Sequence, residues 1–301
     1  MSLSEAGGYR LPPEGGSVWR IRDRVLDLSG HALVMGILNI TPDSFSDGGR
    51  YATRDAAVAH GLKLWQQGAD IIDVGGESTR PGAEPVATDE EIGRVVPVIR
   101  DLVALGVVVS VDTMKAGVAA AAIEAGAHII NDVSGLADPA MTDLCSETGA
   151  GVVLMHMQGS PQTMQDDPTY GDVVAEVAEF LNERVESAVD AGIDRSRICI
   201  DPGIGFGKTF EHNIELLNGI DRFVGSGLPV LVGTSRKGFL GQILREAGYE
   251  TVAAERDVAT AATVAFAVAA GAAVVRVHNV GHAVQAARVA GAMVRSSRRR
   301  K

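Results

Sequence analysis

Short apolar runs alternate along the chain with longer stretches in which apolar residues recur every three to four positions. The runs are LVMGILN (33–39), DIIDVGG (70–76), VVVSVD (107–112), HIIND (128–132), GVVLMH (151–156), RICIDPG (197–203), PVLVGTS (229–235) and AVVRVH (273–278). They are too short for helices, rich in Val and Ile, and mostly continuous rather than alternating, as expected of strands covered on both faces. Helical spacing fills the intervals 55–67, 89–104, 115–125, 139–148, 172–191 and 254–270. Several of these close on an apolar turn into Gly, as in QQGADII, EAGAHII, ETGAGVV and AAGAAVV, a stop signal that uses the left-handed conformation.

Eight strand–helix units predict an α/β protein with a single (β/α)8 TIM barrel over residues 31–294. An open doubly wound sheet would carry a dinucleotide glycine fingerprint after the first strand, and none follows it. Residues 1–30 form an N-terminal extension in which SVWRIRDRVLDLSG reads as a hairpin closing the barrel bottom, and residues 295–301 form a basic tail. The uncharged stretch 258–275 is long enough for a membrane span. It is mostly Ala, Gly271 divides it, and Arg276 and His278 follow, so it reads as a buried helix followed by a buried strand.

Composition narrows the class. The chain has 301 residues, 46% of them hydrophobic and 4% aromatic, enough to build a large core from closely packed small side chains. A net charge of -11 argues against a nucleic-acid surface. RSSRRRK at the end reads as a frayed, solvated tail. Two cysteines, Cys145 and Cys199, are too few for a disulfide framework, and no apolar leader core begins the chain; a reducing cytoplasm fits.

Candidate chemistry collects where the strands end: Asn39, Asp73, Asp112, Asn131, His156, Asp201, Ser235 and His278. Singly, such residues serve as helix caps or turn formers. Together they line the mouth of a barrel, where active sites form. DPGIGFGKT (201–209) is not a phosphate loop, because Pro202 stands where that pattern needs Gly, and Lys208 replaces the third Gly of a dinucleotide loop. What remains is an Asp at a strand end beside a loop that lets a flat ligand approach. In GTSRKGFLG (233–241), Ser235 is positioned to cap a helix and Lys237 opposes the helix dipole, a cost that points to function. In VVRVH, Arg276 and His278 share one side of the last strand. With Lys237 they make a positive cluster suited to phosphates; a structural Arg–carboxylate pair is the other reading of Arg276. No His or Cys spacing suits zinc.

Taken in order from Met35 to Val280, the stretches GILNITPDSFSDGG, DIIDVGGESTRPGA, SVDT, GAHIINDVSG, LMHMQG, DPGIGFGK, LVGTSRKGFLG and RVHNV strongly resemble the dihydropteroate synthases, pterin-binding enzymes of folate biosynthesis and sulfonamide targets. The resemblance implies joining of 6-hydroxymethyl-7,8-dihydropterin diphosphate to 4-aminobenzoate, giving 7,8-dihydropteroate and diphosphate, with Mg2+ and a homodimer. It implies a pterin pocket of Asp112, Asn131, Asp201 and Lys237, of which Asp112, Asp201 and Lys237 are the catalytic set. Met155, Gly233 and Ser235 join as substrate contacts. Asn39 is the implied metal ligand, with Arg276 and His278 on the diphosphate. Thr79, Arg80 and Pro81, with Phe45 and Phe206, shape the aminobenzoate slot, and Asp43 assists from the first loop. Two other classes share such a barrel: a pterin binder without turnover, and a methyltransferase using a reduced folate. The Arg276–His278 pair and the STRPG loop favour the synthase.

Overall fold

The computed structural model describes residues 18–40, 50–78 and 82–298. Eight parallel strands form one sheet: β3 Leu33–Asn39, β4 Ile71–Gly75, β5 Val109–Asp112, β6 Ile129–Asp132, β7 Gly151–Met155, β8 Ile198–Asp201, β9 Leu231–Val232 and β10 Val274–Val277. Their order is β8-β7-β6-β5-β4-β3-β10-β9, and a parallel bridge from Ile200 to Val230 joins the two ends, closing the barrel. Outside run α1 Arg50–Gln66, α2 Thr88–Ala104, α3 Ala116–Glu124, α4 Pro139–Thr148, α5 Val173–Asp190, α6 Phe210–Asn218, α7 Ile220–Val224, α8 Gly238–Glu246, α9 Asp257–Ala270 and α10 Val280–Arg298. The expected barrel and helix-ending glycines are present; Gly149 and Gly271 take left-handed C-cap conformations, at φ 62° and 107°.

One strand is shorter than its apolar run. The run 229–235 yields only Leu231–Val232. Pro229 has no N–H to give to a ladder, and a turn closed by Lys237 N donating to Thr234 O begins just past Gly233.

Side-chain alternation sorts the barrel interior into levels. At the bottom, Leu33, Met35, Ile71, Ile129, Val153, Cys199, Leu231 and Val274 form a buried apolar cluster. One step towards the strands' C-terminal ends, the inward positions become Asp73, Ser110, Asn131, Asp201 and Arg276, nearly all buried. A second apolar core fills the space between strands and helices.

The extension does form a hairpin. β1 Val18–Ile21 pairs antiparallel with β2 Arg24–Asp27. Trp19 and Ile21 are fully buried in the bottom cluster. Trp19 Nε1 donates to Arg197 O at 2.8 Å, and Arg22 Nη1 donates to Ile123 O and Ala127 O at 3.1 and 3.0 Å. Ile21 comes so close to β7 that a Cβ on Gly151 would lie 2.3 Å from its Cγ2. The basic end starts as helix rather than fraying at Arg295: α10 runs to Arg298, and Arg295 Nη1 donates to Gly30 O at 2.8 Å. No described helix is long and apolar enough to cross a membrane, and the stretch 258–275 is divided between α9 and β10.

Candidate active site

A cavity of about 940 Å3 opens at the C-terminal ends of the strands. Eleven of the residues singled out from the sequence line it: Asn39, Asp112, Asn131, Met155, Asp201, Phe206, Gly233, Ser235, Lys237, Arg276 and His278. Their positions follow from strand register. Asn39, Asp112, Asn131, Met155, Asp201 and Arg276 are inward residues at or near the ends of six of the eight strands. Phe45, Thr79, Arg80 and Pro81, with Asp43, lie outside the described residues.

The floor of the cavity is an ionic cluster. Arg276 Nε donates to Asp73 Oδ2 at 2.6 Å, and Arg276 Nη2 donates to Asp112 Oδ2 at 2.5 Å. Asn131 Nδ2 also donates to Asp73 Oδ2, at 3.1 Å. Arg276 is therefore held by two carboxylates, the structural alternative weighed for it, while its side chain still borders the cavity. Burial pushes the Asp112 carboxyl up to about 7, against the pull of Arg276; the negative charge of Asp73 adds to the rise. Burial lowers the Arg276 guanidinium less than Asp73 and Asp112 raise it, so it stays charged. The outer oxygens Asp112 Oδ1 and Asp73 Oδ1 are buried without a hydrogen-bond partner among the described residues. A buried carboxylate oxygen left unpaired is costly, and Asp112 is a lining residue of the cavity.

Across the cavity lies the loop 201–209. Asp201 Oδ1 accepts from Gly203 N at 2.7 Å. Gly203 has φ +67°, and a Cβ there would lie 1.9 Å from His156 O, so only Gly fits. Lys237 Nζ donates to Ile204 O and sits 4.5 Å from the centroid of the Phe206 ring. Burial lowers its ammonium to about 8, although the Asp201 charge pulls it back up. Burial raises the Asp201 carboxyl in turn, with Lys237 opposing. Asp201 and Lys237 thus face a low-dielectric space with an acceptor and a donor whose charges partly cancel.

Ser235 does not cap α8. The N-cap is Lys237, with no side-chain cap bond. The Ser235 hydroxyl instead lies 2.9 Å from His278 Nδ1 and accepts from His278 N at 3.1 Å. The start of α8 borders the cavity, with no side-chain cap on its first N–H groups and no side chain at Gly238. Such groups attract anions.

Three further side chains shape the site through contacts that carry little local signal in the sequence. Asp73 is one of the strand-end candidates; its pairing with Arg276, 203 positions away, has no local signal. In the sequence Lys208 stands out only as a break in the Gly pattern. It is 2% exposed and its Nζ lies 2.8 Å from His156 Nδ1 and from Phe206 O, bracing the loop from behind. Burial, followed by the charge of Lys208, lowers His156 to about 3, so this ring is a neutral partner. Glu77 on the second loop accepts from Val86 N and Lys115 Nζ, both at 2.6 Å, while Lys115 also bonds Glu91 Oε2 at 2.6 Å. A Lys three residues past Asp112 and a Glu after GG were the available hints.

The comparisons with known proteins agree with this geometry. Residues 35–278 match the family model described as pterin binding enzyme. The dihydropteroate synthase of Mycobacterium leprae is 50% identical over 262 residues, 86% of this chain and 92% of the relative. The structure of Xanthomonas albilineans dihydropteroate synthase with 4-aminobenzoic acid superposes with a TM-score of 0.85 at 46% identity, covering 92% of this chain and 98% of that one. The Yersinia pestis dihydropteroate synthase in a sulfonamide drug complex has the same TM-score and coverage at 42% identity.

Proposed function

The chain belongs to the pterin-binding enzymes and, within them, to the dihydropteroate synthases, and on that footing we propose how its own residues form dihydropteroate. The observation that carries the reading is the convergence of eleven motif residues on one cavity at the barrel mouth. The reaction is a transfer: the amine of 4-aminobenzoate bonds to the methylene of 6-hydroxymethyl-7,8-dihydropterin as diphosphate departs.

The pterin ring enters the buried end. Asp201 accepts from ring N–H and the exocyclic amine, Asn131 and Asp112 Oδ1 serve the opposite edge, and Lys237 donates to a ring acceptor. Met155 supplies an apolar face. The diphosphate lies toward Arg276, His278 and Ser235. Departure of the diphosphate leaves positive charge on the methylene. Fixed carboxylates at Asp112 and Asp201 stabilise that charge in a site without bulk water. The 4-aminobenzoate carboxylate is drawn to the free N–H groups of α8, with Phe206 against its ring.

The donor set suits Mg2+. Among the described residues no group of three acidic, His or Cys side chains could cage a metal, and Asn39 offers one amide oxygen at the rim. Mg2+ prefers oxygen, keeps several waters and shares substrate phosphates, so one protein ligand is in keeping with it. When bound, the ion stabilises negative charge on the departing diphosphate.

Two wider assignments belong to the same reading. The described cysteines are free and buried, and burial raises both thiols, consistent with a reducing cytoplasm. A homodimer is supported by α9 and α10, which pack together yet expose Val258, Phe266, Val289 and Met293.

Pure protein mixed with the pterin diphosphate, 4-aminobenzoate and Mg2+ should release diphosphate and form dihydropteroate, and withholding Mg2+ should slow it. Folded protein that releases nothing under these conditions would refute the reading.

A further inference from the structure

The turn that delivers Lys237 to the cavity has an unusual third residue. Lys237 N donates to Thr234 O at 3.2 Å, closing four residues from Thr234 to Lys237. Arg236, the third, has φ +61°. Turns that need positive φ at this position select Gly or Asn, because a Cβ there crowds the carbonyl. Here the chain uses Arg, and the surroundings enforce its conformation. Arg236 Nε and Nη2 donate to the two oxygens of Asp257, at 2.7 and 2.9 Å. Arg236 N donates to Thr260 Oγ1 at 3.1 Å, and Arg256 Nη1 donates to Arg236 O at 3.2 Å. Asp257 is further fixed by Asn279 Nδ2 at 2.9 Å. Strained backbone of this kind persists only where its surroundings over-determine it, and it clusters at functional sites.

Asp257 opens α9 and does not line the cavity. We propose that Asp257 is a positioning residue for the transfer reaction: its two-pronged hold on Arg236 keeps the turn left-handed and so sets Ser235 against His278 and Lys237 over Phe206. The assignment rests on the reaction proposed above. It makes α9, a helix on the outside of the barrel, the support of one turn that carries two cavity side chains. The pair is bidentate and half-sheltered, the geometry in which Arg is not replaceable by Lys.

The test uses the fact that Gly adopts this conformation without support. Arg236→Ala should lower turnover about 5- to 30-fold, the population penalty of a left-handed Ala. Arg236 itself borders the cavity, so Arg236→Gly is read against Arg236→Ala, which removes the same side chain: the Gly variant should keep several-fold more turnover, since the turn then holds itself. Asp257→Ala should lower kcat and raise KM for 4-aminobenzoate as Arg236→Ala does, yet cost nothing further when added to Arg236→Gly. Asp257→Asn, of equal volume, replaces it if melting shows that Asp257→Ala is poorly folded. Arg236→Gly as impaired as Arg236→Ala, or Asp257→Ala equally harmful in both backgrounds, overturns the inference. The same set is read by quenching of pterin fluorescence on binding. An unaltered protein without turnover would then overturn the reaction while the set still scores the turn.

Discussion

Lys237 shows how a single side chain carries opposed demands. Burial lowers its ammonium to about 8, so the folded protein releases a proton that the unfolded chain keeps to about 10.5. Between those values the unfolded state binds more protons, and stability rises with pH; below about 8 the buried charge weakens the fold. Lys237→Met should therefore raise the melting temperature at pH 7 while removing most affinity for the pterin diphosphate. The unaltered protein should lose affinity as pH climbs through about 8, when the ammonium is neutralised. Calorimetric titration at pH 7 and 9 checks both, and unchanged binding by the Met variant would remove Lys237 from the pocket. Lys237 and Asp201 were legible in the sequence because a charge at a helix start and an acid after an apolar strand each break a local rule. Asp73 is legible in the same way, but its pairing with Arg276 is not, nor is that of Lys208 with His156, since these partners are 203 and 52 positions distant and local patterning is silent about them.

At the scale of elements, the strands were legible wherever burial on both faces left a continuous apolar run. Their ends were read less well, because ladder partners decide them: β9 stops at Val232 where the run continued to Ser235. The hairpin was read as a bottom closure from its position alone. Its buried Trp19 shows how it does this, filling the barrel's lower mouth with an indole tied to Arg197 O. Trp19→Ala should cost about 3–5 kcal/mol, the usual range for emptying a core aromatic site. Urea denaturation would measure it. KM values should stay unchanged, since the cavity lies at the opposite end; a comparable loss of substrate affinity would mean that the barrel transmits the defect along its axis.

On the scale of the whole molecule, the division of labour is axial. An apolar plug seals one end, and an ionic cluster floors the cavity at the other. Among the described residues, the outside also carries the exposed apolar side chains of α9 and α10, which this axis does not use. If a second copy covers them, Met293→Glu should shift the protein from dimer to monomer in sedimentation, while a protein already monomeric would remove the assignment. The same helix α9 holds Asp257, so association there would stiffen the support of the Lys237 turn.

The barrel is also unevenly hooped. Between β8 and β9 it is closed by one bridge, Ile200 to Val230, and β9 itself is two residues long. Asp201 stands on one side of that join and Lys237 on the other. In the proposed binding mode a pterin held by both spans this join, so the ligand itself becomes a rivet across the most thinly laddered part of the wall.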